Sequence, residues 1–176
     1  MLIKYDQKAV EAFYSGLRRS KIDFAVFLPD TLLDGVEQMI VQRSEIAIFQ
    51  CGREDEGIAM AMGAYLTGQR SVVMMEGSGI GLAALVLARG IVQRTPTLLL
   101  IGHNSTLGEI YDVHSATRLV CEGVLRALGI PFFVLHNRDQ IETVIVEAQN
   151  TVEGQRIPVG ILVPNHVIEG LVPQEV

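Results

Sequence analysis

The sequence predicts a doubly wound, three-layer α/β domain, with about six parallel strands in one sheet and helices on both faces. Three observations predict it. Six short β-branched or aliphatic runs recur between turn residues. Each run is followed or preceded by a segment with the composition or spacing of a helix. The runs are nearly continuously apolar instead of alternating, which is the pattern of strands buried on both sides by crossover helices.

The elements follow in order. Val10, Phe13, Tyr14 and Leu17 recur at helical spacing and predict a helix over 7–20. The run FAVFL at 24–28 predicts the first strand. Leu32, Leu33, Val36, Met39 and Ile40 predict a helix over 31–43, and IAIFQ at 46–50 the second strand. An Ala/Met-rich helix over 55–67 stops at Gly68. The third and fourth strands are SVVMM (71–75) and TLLLIG (97–102), with a helix over 79–94 between them. A helix over 115–128 closes at Gly129, just before Ile130-Pro131. PFFVL (131–135), a helix over 139–150 and PVGILV (158–163) complete the chain. With no linker, repeat or low-complexity stretch, residues 1–176 read as one domain.

Composition bounds the function. Hydrophobic residues make up 49% of the chain and charged residues 19%, the balance of a packed globular domain. A formal charge of −6, with no block of Lys or Arg, argues against a nucleic-acid partner, since phosphate binding needs a basic stripe. No apolar run is long enough to span a bilayer, and the first residues carry no apolar signal core. Cys51 and Cys121 make no disulfide framework or metal spacing, so a reduced, cytoplasmic setting is expected, with no metal held by this chain.

Ligands of such sheets sit outside the carboxyl ends of the strands, so the loops there hold the candidates. The turn EGSGIG at 76–81 follows a strand and opens a helix, where backbone N–H groups can meet phosphate. Its spacing is not G-x-G-x-x-G and it lacks a P-loop Lys, so a tight turn without any ligand explains it equally well. Glu54, Asp55 and Glu56 open the helix over 55–67, which is apolar nearly all round and is expected to be buried. First-turn carboxylates complement the helix dipole, which accounts for one or two of them. A carboxyl desolvated at a buried helix entrance can instead hold and share a proton. His103 and His114 lie beyond the fourth strand with Asp112 between them, and each is also explained as a hydrogen-bonded loop residue. Asp30, after Pro29, is a candidate functional carboxylate or a helix cap.

Several blocks, in order, resemble the pyrimidine-binding domain of thiamine-diphosphate-dependent decarboxylases, in particular phosphonopyruvate decarboxylases and the sulfopyruvate decarboxylase alpha subunit. FLPDTLL (27–33) is similar to the family's G-V-P-D-S-L-L turn. REDEGIAMAMGAYLTGQR (53–70) resembles the cofactor-activating helix, with Glu54 nine residues before Gly63. VVMMEGSGIG (72–81) stands where the family reads M-Q-N-S-G-L-G. The stretch from His114 to Ile130 resembles the family segment that begins with His and ends in Gly-Ile. The resemblance implies that Glu54 is the catalytic carboxyl that binds N1′ of the aminopyrimidine and so promotes deprotonation of the thiazolium carbon. It implies cofactor contacts at Gly77, Ser78 and Gly79, and a substrate end lined by Asp30 and His114, with His114 also a catalytic candidate. Two departures accompany it. Glu76-Gly77 replaces the family's Gln-Asn, and the G-D-G…Asn motif that holds Mg²⁺ and diphosphate is absent from this sequence.

The resemblance therefore implies an alpha subunit of a two-subunit 2-oxoacid decarboxylase, with sulfopyruvate or phosphonopyruvate as suggested substrates. A separate beta subunit would hold Mg²⁺ and share the thiamine diphosphate. The apolar helices over 55–67 and 79–94 suggest self-association as well. The competing reading is a non-catalytic α/β module that retains the fold and binds a ligand or partner. A nucleotide-binding oxidoreductase rests on the glycine turn alone.

Overall fold

The computed structural model describes residues 5–107, 109 and 111–169. Its chain order is α1 (Gln7–Arg19), β1 (Phe24–Phe27), α2 (Asp34–Arg43), β2 (Ala47–Gln50), α3 (Glu54–Leu66), β3 (Ser71–Glu76) and α4 (Gly79–Gln93). Then follow β4 (Leu98–His103), α5 (Ser115–Ala127), β5 (Phe132–Val134), α6 (Ile141–Gln155), β6 (Val159–Pro164) and the short α7 (Asn165–Ile168). The six strands form one sheet in the order β2-β1-β3-β4-β6-β5. Every pairing is parallel, including Glu76 with Gly102 and His103 with Pro164. The predicted fold class is the one observed.

Alternate residues of each strand serve opposite faces. Ala25, Val72, Met74, Leu100 and Ile161 pack under α1, α2 and α6 with Phe13, Leu17, Ile40 and Ile145. Val73, Met75, Leu99, Ile101 and Leu162 pack under α3, α4 and α5 with Ile58, Ile80, Leu87, Cys121 and Leu125. The central strands β3, β4 and β6 are buried along almost their whole length, which is why their sequences lack alternation. Local signals set the first helix: Asp6 caps α1, accepting the N–H groups of Lys8 and Ala9 at 2.9 and 3.1 Å.

Three expectations change in detail. The second helix begins at Asp34, not residue 31, because the Asp30 carbonyl accepts the N–H groups of Leu33 and Asp34 and winds residues 30–34 into a turn. Asp30 is thus not the cap of α2. The sixth helix continues past residue 150 to Gln155, with Val152 still in the core. Finally, α3 is buried on one side only. Gly57, Ile58, Ala61 and Ala64 face inward, while Ala59, Gly63 and Leu66 are exposed. The neighbouring α4 likewise leaves Leu82, Leu85 and Val92 in solvent. Among the described residues, no helix is long and apolar enough to cross a membrane.

Candidate active site at the strand ends

The carboxyl ends of β1, β2, β3 and β4 bring Asp30, Glu54, Glu76 and His103 to one edge of the sheet. Glu54 is the first residue of α3, preceded by Arg53 in extended conformation. Its side chain crosses the opening turn of α4 directly over Gly79. A Cβ on Gly79 would come 2.5 Å from both the carboxyl carbon and Oε1 of Glu54. Only glycine admits that approach. Glu54 is half-buried and, among the described residues, receives no hydrogen bond. Its two neighbours are occupied. Asp55 accepts from Arg53 at 3.0 and 3.1 Å, and Glu56 accepts the Gly52 N–H at 3.0 Å. Both hold the loop and the first helical turn, which leaves Glu54 as the uncommitted carboxyl of the three.

Asp30 lies against Gly102, with its carboxyl carbon 3.0 Å from the position of a Gly102 Cβ. It is 5% exposed; Oδ1 takes a long contact of 3.4 Å from the Leu32 N–H, and Oδ2 accepts no hydrogen bond from the described residues. Burial pushes its pKa up to about 6; the neighbouring Glu76 pushes the same way, and His114 opposes. Glu76 accepts from the hydroxyls of Ser78 and Thr117, which fastens the end of β3 to α5. The packing behind explains Gly77. Its N–H donates to the Gly102 carbonyl at 2.9 Å, and a Cβ would lie 2.6 Å from Cγ2 of Thr117. The amide of Gly77 is therefore used inside the protein, and Ser78 is turned to Glu76.

His114 closes the 3-10 turn Asp112–His114 ahead of α5. Its Nδ1 lies 2.7 Å from a Glu109 carboxylate oxygen, and Tyr111 meets its ring edge-on at 5.6 Å between centroids. His103 is buried with Nε2 3.7 Å from Glu122, and burial lowers its pKa. Asn104, next in the chain, is 2% exposed. His136 and His166 stand elsewhere, with the His166 ring 3.1 Å from the His136 carbonyl. No group of His, Cys, Asp and Glu among the described residues is arranged to hold a metal ion.

Thus Asp30, Glu76 and His114 share one electrostatic neighbourhood, and Glu54 with Gly79 forms a second, adjoining element across α3 and α4. Sequence reasoning missed Thr117 as the partner of Glu76, and nothing in the α5 sequence marks it. It also missed Glu37, a buried carboxyl on α2 whose pKa is pushed up to about 8 by burial and by Asp30 and Asp34. A signal for it existed: Leu33, Glu37 and Ile40 fall on one helical stripe.

No family model matches the chain. Among curated proteins it is similar to the sulfopyruvate decarboxylase alpha subunit of Methanothermobacter thermautotrophicus, 32% identical over 123 residues, covering 69% of this chain and 74% of that one. It is 28% identical to the proteins of the same name from Methanococcus maripaludis and Methanocaldococcus jannaschii, over 88% and 86% of this chain and 93% and 90% of theirs. Among solved structures, it superposes on a 2-oxoglutarate:ferredoxin oxidoreductase from Magnetococcus marinus with a TM-score of 0.74. That match covers 92% of this chain at 18% identity, a likeness of fold, and this chain spans only 29% of the oxidoreductase chain. At 32% identity over 74% of that first relative, the chain belongs to the family of sulfopyruvate decarboxylase alpha subunits.

Proposed function

We propose that this chain is the pyrimidine-binding subunit of a thiamine-diphosphate-dependent 2-oxoacid decarboxylase, working with a separate chain that binds Mg²⁺ and the diphosphate. The observation that carries the reading is Glu54: a half-buried carboxyl at a helix start, without a hydrogen-bond partner among the described residues, laid closely over a glycine. That donor set fits the aminopyrimidine, which needs one carboxyl free to share a proton with a ring nitrogen. When bound, thiamine diphosphate supplies an electron sink for loss of CO₂. Glu54 would hold the proton at N1′, and Gly79 keeps the carboxyl in place. His114, oriented by Glu109, is suited to move a proton at the substrate end, and Asp30 and Glu76 set the charge there. Cofactor contacts at Gly77 and Ser78 would have to come through the Gly77 carbonyl or the Ser78 hydroxyl, since the Gly77 N–H is engaged.

The alpha-subunit names of the relatives support a separate beta subunit. A module that had kept only the fold would gain nothing from an unpartnered Glu54 held over Gly79. The test is co-expression with a chain carrying the G-D-G…Asn motif, followed by a CO₂-release assay over a panel of 2-oxoacids. Turnover only in the assembled pair is the expected result. Substantial turnover by this chain alone would refute the division of labour.

A further inference from the structure

The edge of the sheet away from the candidate active site carries an open groove. β5 is an edge strand, with β6 as its one neighbour among the described strands. The Pro131 carbonyl accepts the Gly160 N–H, and the Leu135 N–H donates to the Leu162 carbonyl, both at 3.0 Å. Pairing with β6 therefore uses Pro131, Phe133 and Leu135, and strand alternation turns the N–H and C=O groups of Phe132 and Val134 outward. Among the described residues, nothing bonds to those outward groups. Beside them, between β5, α6 and the start of β6, lies a cavity of about 500 Å³, the size of sites that take a ligand or an anchoring side chain.

The floor of the cavity is apolar, made by Phe133, Val144, Ala148 and Val159. Phe133 remains 40% exposed, although Ile161 beside it in the ladder is fully buried. The mouth is acidic, with Asp139 and Glu147 both exposed there. Of the acidic residues of α6, Glu142 pairs with Arg19 and Glu153 with Arg70. Glu147 has no ion pair among the described residues, and neither has Asp139. The cations nearby are engaged. Arg138 is held by Asp6 and by the carbonyls of Val167 and Glu169, while Arg126 is held by Glu122 and lies over the Phe132 ring.

These features describe an occupant. Open N–H and C=O groups suit an extended backbone, which adds to the edge as a further strand. The residue that lies beside Phe133 falls on the same face, so its side chain enters the cavity. An apolar floor under two unpaired carboxylates fits a long aliphatic stem with a cationic head, lying over the Phe133 ring. Lys and Arg have that form. Two copies of this chain joined antiparallel through β5 would bring two α6 helices side by side, with Asp139 and Glu147 facing like charge. Residues 170–176 of this chain carry Glu175 and neither Lys nor Arg, so they lack the matching charge.

We infer that the β5 edge and the adjoining cavity form a docking site for an extended segment of a partner protein, anchored by a Lys or Arg beside Phe133. The site is independent of the decarboxylase reading, since β5, α6 and β6 supply no residue of the candidate active site.

The experiment uses the full chain and a synthetic peptide, Thr-Val-Thr-Lys-Thr-Val-Thr, with blocked ends. Affinity is read by fluorescence anisotropy and amide exchange by NMR. Saturable binding is expected, with slowed exchange at the Phe132 and Val134 N–H groups. Replacing the peptide's lysine by glutamate should weaken binding by at least about ten-fold. Glu147→Lys should weaken the lysine peptide by a similar factor and improve binding of the glutamate peptide, a charge swap that a merely structural role would not produce. Glu147 is exposed, so that variant should fold, and Asp139→Lys provides the same test at the second carboxylate. Absence of saturable binding, or equal binding of the two peptides, overturns the inference. Binding without protection of Phe132 and Val134 overturns strand addition. Equal affinity for n-butylammonium, which has the cationic head and no backbone, overturns the peptide assignment in favour of a small organic cation.

Discussion

The carboxyl of Glu54 occupies the space that a Cβ on Gly79 would need, so the start of α3 and the start of α4 can meet at this distance only because residue 79 has no side chain. Two helix starts separated by 25 positions in sequence thereby form a single element of the candidate site. Glu54 is held in place by shape, and its carboxyl accepts no hydrogen bond from the described residues.

Gly79→Ala should therefore act on Glu54. The added methyl must displace the carboxyl or strain the α4 turn, a kind of overpacking that costs ~1–3 kcal/mol. We expect a lowered melting temperature and loss of most turnover in the assembled enzyme. The control is Gly63→Ala on the exposed side of α3, where a Cβ meets nothing within 4 Å. That variant should retain both.

Glu54→Gln keeps size and packing but removes the acid. Turnover should fall by roughly 10²–10⁴-fold while assembly survives, measured at saturating thiamine diphosphate. Glu56→Gln should cost far less, since Glu56 accepts the Gly52 N–H and serves the loop. The reverse order of damage would show that Glu56 and not Glu54 reaches the cofactor.

Glu37 gives the fold a pH signature. Its pKa is raised from 4.5 to about 8, so the folded state holds its proton more tightly than the unfolded chain. That contribution to stability is complete below about 4.5 and is lost as pH rises through about 8. Asp30 adds a slope of the same sign, confined below about 6. Between pH 6 and 8 stability should then fall by at most about 1.4 kcal/mol per pH unit through Glu37. Denaturant melts across that range should show the slope in the native chain and a flatter profile in Glu37→Gln.

The exposed apolar residues of α3 and α4 predict where another chain docks. Leu66 is 74% exposed, Leu85 65% and Val92 83%. Leu85→Asp with Val92→Asp should abolish association, read by light scattering of the chain alone and with its partner. Because both sites are solvent-facing, melting of the separate chain should move by no more than about 0.5 kcal/mol in stability. Unchanged association would place the interface elsewhere.

The sheet was legible in the sequence because parallel strands buried on both faces write themselves as apolar runs, and all six fall within a residue or two of their observed bounds. The burial of α3 was misjudged for a related reason. Composition records that Ala59 and Leu66 are apolar, yet it cannot say whether this chain or another covers them. The strand-end loops could be located, but their internal pairings could not. Glu76 with Thr117 joins residues 41 positions apart, and Asp30 over Gly102 joins a loop to the end of β4 with no shared periodicity. The sequence left Asp30 open between functional carboxylate and cap, and only the structure removes the cap, because its backbone carbonyl, not its side chain, starts the turn into α2.

The position of β6 also governs the order in which this molecule can be made. β5, only three residues long, has β6 as its one neighbour among the described strands, and β6 slots between it and β4 although it is the last of the six to be synthesised. During translation, β1 to β4 can assemble with their helices while Phe132–Val134 has nothing to pair with. Leu98–His103 stays an open edge meanwhile. The nascent chain therefore carries an apolar, unpaired strand edge until Val159–Pro164 leaves the ribosome, and it is in this interval that a chaperone would be needed.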